Sequence, residues 1–248
     1  MLNALTAVSP VKNVKGRSFS WSISAMNEYE RCPKAYGLSR FYCKIPYGQS
    51  AAGKYGDDVH KAAEMYIATS KQTITNPAHL AVVKKYADAM LDNPFFEISA
   101  EVALTFTKQF TPTSWFLNDA WLRIKIDVVR RKVEEHAAIY DWKTGKHISD
   151  NNDQLLLAIA CFAHTHPEVE QFDAQYIWLK HGKVSDKVSV VKKDVPGIWA
   201  MFLPRVDKMQ ESWNRHEFPA TPNREACLFC RASDADCRDR CCPPLKQA

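Results

Sequence analysis

The sequence has no long hydrophobic run. Its longest, Leu155 to Ala163, is too short to cross a bilayer. That argues against a membrane-spanning helix. The first 15 residues lack a basic stretch followed by a long apolar one. No export signal is read there, and a cytoplasmic location is the default expectation. There is no Gly-X4-Gly-Lys-Ser/Thr loop, which excludes a P-loop nucleotide motor. No internal repeat and no low-complexity segment occurs, so neither a solenoid nor a disordered tract is expected.

What is present fits a globular protein with a core. The chain has 248 residues, 46% hydrophobic and 25% charged. That length is large for one small domain and short for two. One α/β domain with a small appendage is the natural reading. The formal net charge of +5 is compatible with a nucleic-acid partner without requiring one. Cysteine is unevenly placed. Eight occur, at 32, 43, 161, 227, 230, 237, 241 and 242, and five of them fall in the last 22 residues. Without an export signal, that cluster points to a metal site rather than a disulfide framework. Cys161 and Cys43 read as plain core positions.

Residues 1–17 read as a loose arm. Ser20 to Tyr36 reads as a Ser-capped helix stopped by Pro33, with Cys32 at the stop. Gly53 to Thr69 and Pro77 to Asn93 are predicted helices. The first carries Val59, Ala62, Ala63, Tyr66 and Ile67 at core spacing, with His60 among them. Phe95 to Phe110 is a predicted strand. Across Trp115 to Arg130, Leu122, Ile124, Ile126 and Val128 alternate with Arg123, Lys125 and Asp127. This is the clearest period-two signal in the chain. Ala137 to Trp142 is its expected hairpin partner across 131–135. A helix follows from Gln154 to His164. Two strands, Gln171 to Lys180 and Lys183 to Lys192, flank a tight turn at His181-Gly182. A last helix covers Pro196 to Arg215, and 218–222 is a linker. This order predicts an α/β fold with a central mixed sheet flanked by helices.

The chemistry centres on Tyr-Asp-Trp-Lys-Thr-Gly-Lys at 140–146. Strand periodicity turns Asp141 and Lys143 to one side and Trp142 to the other. A carboxylate can hold a divalent cation, and an adjacent ammonium can orient water or offset charge building on a phosphate. Asp127 on the neighbouring strand, His60 from a helix and the main-chain carbonyl of Trp142 complete a candidate ligand set. Carboxylates suit Mg²⁺ or Mn²⁺, and one imidazole tilts the balance toward Mn²⁺. Gln154, at the start of the next helix, can hold a phosphate or position the lysine. Glu101 is expected as an exposed strand residue, with lining the site as the alternative.

Taken together, these pieces resemble the PD-(D/E)XK nuclease superfamily in its RecB-like branch. The resemblance rests on Ser-Ala-Met-Asn-Glu-Tyr-Glu-Arg-Cys-Pro (24–33), Gly56-Asp-Asp-Val-His60, Ile-Lys-Ile-Asp127, Asp141-Trp-Lys143-Thr-Gly and Gln154, in the family's order, over about 25–237. It implies a restriction-endonuclease-like core over 18–222, with His60, Asp127 and Asp141 as metal ligands. It implies that Lys143 assists attack of water on a phosphodiester. Two departures are plain. Lys125 stands where the family often has Gly, and Ala158 where it often has Tyr.

The iron–sulfur members of that branch, similar to AddB nuclease domains and CRISPR-associated RecB-type exonucleases, imply more. They imply a [4Fe-4S] cluster on one early and three late cysteines: Cys32, Cys227, Cys230 and Cys237. The segment 223–248 would then pack on Cys32 as a staple. Here six residues separate Cys230 from Cys237, where five are common. Cys241 or Cys242 is an alternative last ligand, and structural Zn²⁺ an alternative metal.

The function expected is divalent-metal-dependent DNA hydrolysis, with exonuclease action on single strands or ends, in recombination, repair or phage DNA processing. Arg123, Lys125, Lys146, Lys180, Lys183, Trp115 and Trp178 are candidate groove residues. Any unwinding must come from a helicase or recombination partner. The competing reading is a non-catalytic DNA-binding or complex-forming subunit that keeps the fold, for example in spacer acquisition.

Overall fold

A computed structural model describes residues 11–45, 50–92, 96–132, 135–228, 230–239 and 241. Two compact units emerge. The first draws on the described parts of Met1–Tyr47, Thr105–Arg123 and Leu203–Ala248, and the second on those of Gly48–Leu104 and Ile124–Phe202.

The sheet has six strands: β1 (Glu97–Phe106), β2 (Leu122–Lys132), β3 (His136–Lys143), β4 (Gln171–Trp178), β5 (Lys183–Val184) and β6 (Val188–Val191). The order is β1-β2-β3-β4-β5, with β6 also on β4. β2 and β3 form the expected antiparallel pair, registered at Val128↔Tyr140 through Lys132↔His136. Of the connecting turn, residues 133 and 134 lie outside the described ones. β3 and β4 run parallel along their whole length, from His136↔Gln171 to Lys143↔Trp178. A parallel pair needs a crossover, and helix α5 (Asp153–Thr165) supplies it.

The β2 alternation is legible in the sequence, but the strand is shorter at its start than expected. Residues 115–121 form turns, and β2 begins at Leu122. The second predicted hairpin is also broken up. A 3-10 turn covers Leu179–His181, and Gly182 sits in the left-handed region at φ 61°. A strand of two residues follows, and after a gap β6 returns on β4.

Within the second unit, α3 (Ala51–Ala68) and α4 (Pro77–Leu91) cover one face of the sheet. Ser50 caps α3 by accepting from Gly53 N–H, and Asn76 caps α4 ahead of Pro77. Residues 93–95, the predicted end of α4 and start of β1, lie outside the described residues. The apolar stripe Val59, Ala62, Ala63, Tyr66 and Ile67 packs with Leu80, Val83, Ala87, Val128, Trp142 and Ile177 in one buried cluster. Trp142 thus points into the core, and Asp141 and Lys143 point to the opposite face, where α5 lies. Leu155, Leu157 and Ile159 of α5 are fully buried. Cys161 is buried among them, as expected, and burial pushes its thiol up.

The first unit holds α1 (Ile23–Arg31), α2 (Pro33–Tyr36) and α7 (Arg224–Leu228). The predicted helix stops ahead of Pro33 as expected, and a second, short helix follows it. Ser22 caps α1, and Cys32 takes an extended conformation (φ −165°) at its end. Pro33 then starts α2 at its first turn, where a missing N–H costs nothing. Gly37–Phe41 continues as a π-helical turn. A side chain at Gly37 would collide with the Phe218 ring, at 2.4 Å from its Cγ. Of the predicted loose arm, residues 1–10 lie outside the described ones. Residues 11–17 are a turn held by Asn13, whose Oδ1 accepts from the N–H of Lys15 and Arg17 at 2.9 Å each. α6 (Val195–Arg215) is the longest helix of the chain, and Pro204 lies within it. No described helix is long and apolar enough to cross a membrane.

Candidate active site

The β2–β3 register places the two key acids. The ladder ends at the Val128↔Tyr140 pair, and Asp127 and Asp141 lie just past it on the two neighbouring strands. Like charges close together across strands destabilise a sheet. Both residues are also buried, each 6% exposed. Two neighbouring carboxylates without water are costly unless specific partners hold them, and each has such partners.

Asp127 Oδ2 accepts from the Trp142 N–H at 2.7 Å. Its Oδ1 lies 3.2 Å from His60 Nδ1. The other ring nitrogen, Nε2, lies 3.1 Å from the Trp142 carbonyl oxygen. A carbonyl can only accept, so Nε2 carries the proton and Nδ1 faces the acids. Helix α3 delivers His60 to this point. It approaches so closely that a side chain at Gly56 would come within 3.0 Å of Thr144 Oγ1, just past the end of β3.

Asp141 sits in a closed triangle. Its Oδ2 lies 2.6 Å from Lys143 Nζ, and Gln154 Nε2 donates to its Oδ1 at 2.5 Å. Lys143 Nζ in turn donates to Gln154 Oε1 at 2.7 Å and stands 4.8 Å over the Tyr176 ring. Gln154 reaches the pair because α5 starts beside the carboxyl end of β3, the end where open α/β sheets place their sites.

Glu101 corrects the expectation of an exposed strand residue. Its side chain is only 8% exposed, and Oε1 lies 3.8 Å from His60 Nδ1. Lys125 pairs with its other oxygen. Its backbone is left-handed, φ 54°, which is rare for a residue with a side chain and turns it out of the simple strand alternation. His60, Glu101 and Asp127 each bring one ligand atom to a place where all three lie within 4.8 Å of one another. One hard divalent cation, with bonds of roughly 2.0–2.6 Å, can bridge such a separation. The donor set therefore fits a metal.

The charges agree with this geometry. Burial pushes Asp141 up, the charge of Asp127 pushes it further, and Lys143 and His60 offset part of the effect, leaving it at about 6. Burial opposes charge on His60, but the hydrogen bond and charge of Asp127, with Asp141 and Glu101 behind it, raise its pKa to about 9. Negative charge is in excess at this spot.

Three of the predicted groove residues are committed elsewhere. Trp178 is buried. Arg123 donates to the Trp115 carbonyl at 2.7 Å, and Lys125 is paired with Glu101. Lys146, Lys180 and Lys183 are exposed. At the other end of the chain, Cys32, Cys227, Cys230 and Cys237 line one small, mainly apolar cavity with Leu38, Ala226 and Ala232. Cys241 is exposed and outside that lining. Cys242 lies outside the described residues. Cys43, expected in the core, is only partly buried at φ 51°.

The chain belongs to the PD-(D/E)XK nuclease superfamily, whose model matches residues 20–238. None of the curated proteins matches it. Among solved structures it is similar to a candidate exonuclease from Eubacterium rectale, at 12% identity over 92% of this chain and 90% of the other, with a TM-score of 0.48. It is also similar to the protein SSO0001, at 13% identity over 92% of this chain and 86% of the other, with a TM-score of 0.45. Both likenesses are distant and describe overall shape alone.

Proposed function

We propose that this chain is a divalent-metal-dependent deoxyribonuclease of the RecB-like branch, acting as an exonuclease on single strands or DNA ends. The observation that carries the reading is the meeting of His60, Asp127 and Glu101 within one ion's reach, beside Asp141 locked to Lys143. His60, Asp127 and Asp141 hold the ion, and Glu101 adds a further oxygen. Mg²⁺ or Mn²⁺ in such a site supplies Lewis acidity toward a phosphoryl oxygen. Lys143 places one positive charge where negative charge grows on the scissile phosphate. Gln154 fixes the lysine and Asp141 together, so neither reorganises during the step. The Trp142 carbonyl keeps the His60 proton on Nε2 and leaves Nδ1 for the ion.

We further propose a [4Fe-4S] cluster on Cys32, Cys227, Cys230 and Cys237. Their shared cavity supports it. Four thiolates suit a four-iron cluster, with tetrahedral zinc as the alternative occupant. Such a cluster closes a very long loop and staples the first unit.

The test is digestion of DNA labelled at its 5′ or 3′ end, single- and double-stranded, beside a circular control, with Mn²⁺. Release from linear ends with the circle intact is the expected result. Cutting of the circle overturns the exonuclease assignment. Iron and sulfide analysis, with the visible absorbance of the purified protein, tests the cluster separately.

A further inference from the structure

A large cavity of the first unit is not part of the site above. It has a volume of about 650 Å³. Its wall carries Lys15, Arg17, Arg31, Arg40 and Arg231, four serines (Ser18, Ser20, Ser24 and Ser39) and a single acid, Glu28. That acid is already engaged: Oε1 accepts from Ser39 Oγ at 2.5 Å and Oε2 from Arg40 Nε at 2.6 Å. Lys15, Arg17 and Arg31 have no carboxylate partner among the described residues, and all three are exposed at the rim. Positive charge from Lys15, Arg17 and Arg31 is therefore concentrated around a concavity whose one wall acid is already engaged. Arg17 acts on a neighbour as well: burial first, then the charge of Arg17, holds Arg123 below the usual guanidinium range.

An independent observation lies on the same wall. Tyr36 is completely buried, yet its hydroxyl has no hydrogen-bond partner among the described residues. A buried hydroxyl left unmatched costs about 1–3 kcal/mol, so such groups in a folded protein call for an explanation. Tyr36 lines this cavity. A phosphate oxygen entering the cavity accepts from that hydroxyl, from the serines and from the unpaired cations.

We propose that this cleft binds the phosphate backbone of single-stranded DNA. The inference rests on the nuclease reading for its choice of polyanion. The chemistry is that of phosphate contacts, in which cations and hydroxyls position a strand without reading its sequence. The volume lies within the range of ordinary ligand pockets. It admits a few nucleotides of one strand and excludes a duplex. Cys32, Ala35, Ala226 and Cys230 line both this cleft and the cysteine cavity. A bound strand therefore lies against the cysteine site and shields it from solvent.

The experiment measures binding of a fluorescent oligothymidylate by anisotropy in EDTA, so that cleavage plays no part, over a range of salt. The proteins compared are the full chain, its Lys15→Ala/Arg17→Ala/Arg31→Ala variant, Tyr36→Phe, and a control with equal charge removed at Lys54, Lys193 and Lys208. The triple variant is expected to lose about tenfold or more in affinity. Its salt slope is expected to fall by about 2, since each single-strand phosphate contact contributes about 0.7. The control keeps the wild-type slope, and Tyr36→Phe binds several-fold more weakly with no loss of melting temperature. A triple variant that binds with the wild-type slope overturns the proposal. So does a wild-type protein that binds the duplex and not the single strand. Failure of the nuclease reading looks different: the strand is held in EDTA, and no product forms when Mn²⁺ is added.

Discussion

The two units treat charge in opposite ways. The second buries two carboxylates and gives each a defined partner: Asp127 the Trp142 N–H and His60, Asp141 the Lys143 and Gln154 side chains. The first leaves Lys15, Arg17 and Arg31 open around a cavity. Buried charge held in a fixed arrangement suits a step where charge changes at one atom. Open charge on long side chains suits a polymer that must bind and move on. The contrast separates chemistry from substrate holding, and substitutions can attack each side of it.

The largest effect belongs to Lys143→Ala. Cleavage is expected to fall about 10²–10³-fold or more, the range seen when one charge-stabilising group is lost. The melting temperature should stay within a few degrees of wild type, because Lys143 is only partly buried. A kinetic assay beside a thermal melt checks both halves.

Next is metal removal. Mn²⁺ at about 100 times its Kd should stabilise the protein by about 2.7 kcal/mol. Asp127→Asn should erase that gain, and an equal gain in this variant would show the ion to be held elsewhere. The metal-free protein should also lose stability as pH rises. Asp141 is raised from 3.8 to about 6, so the folded state gives up stability as this group ionises across that window. His60 is raised from 6.5 to about 9, so its contribution is full below 6.5 and gone above 9. Thermal melts in EDTA should fall across both windows, and Mn²⁺ should remove the fall at the alkaline end.

The smallest effect concerns a surface group, which sharpens the contrast with the buried acids. Asp173 accepts from Ser189 at 2.6 Å and pairs with His136 at 2.8 Å and Lys187 at 3.2 Å. Burial works against its charge, but these three partners outweigh it and hold it below 3.8. Its contribution is present above that value and is lost as pH falls through the lowered one. Because its partners are themselves partly exposed and screened by water, it should matter little. Asp173→Asn should cost no more than about 1 kcal/mol at neutral pH, read from denaturant melts.

Much of this was legible in the sequence. Period-two alternation over Leu122–Val128 located β2, and the Asp-X-Lys spacing placed Asp141 and Lys143 on one face. Helical spacing around His60 located α3. These signals are local and depend on side-chain direction alone. Glu101 was misjudged because its role depends on a left-handed backbone inside a strand, which composition does not announce. The stop at Cys32 is legible, but the restart of a helix at Pro33 is not, because proline reads equally as a stop and a start. The basic cleft was invisible because its residues lie far apart in the chain, from Lys15 to Arg231. Trp178 and Arg123 leave the expected groove for a related reason: one is buried and the other donates to the Trp115 carbonyl, neither of which a one-dimensional reading supplies.

The most direct measurement is Mn²⁺-dependent release of nucleotides from end-labelled DNA by the purified chain, with EDTA and Lys143→Ala as controls. The account predicts product with Mn²⁺ alone, none in EDTA, and almost none from the variant. Intact DNA in the presence of a protein that demonstrably binds Mn²⁺, or full cleavage by Lys143→Ala, would contradict it.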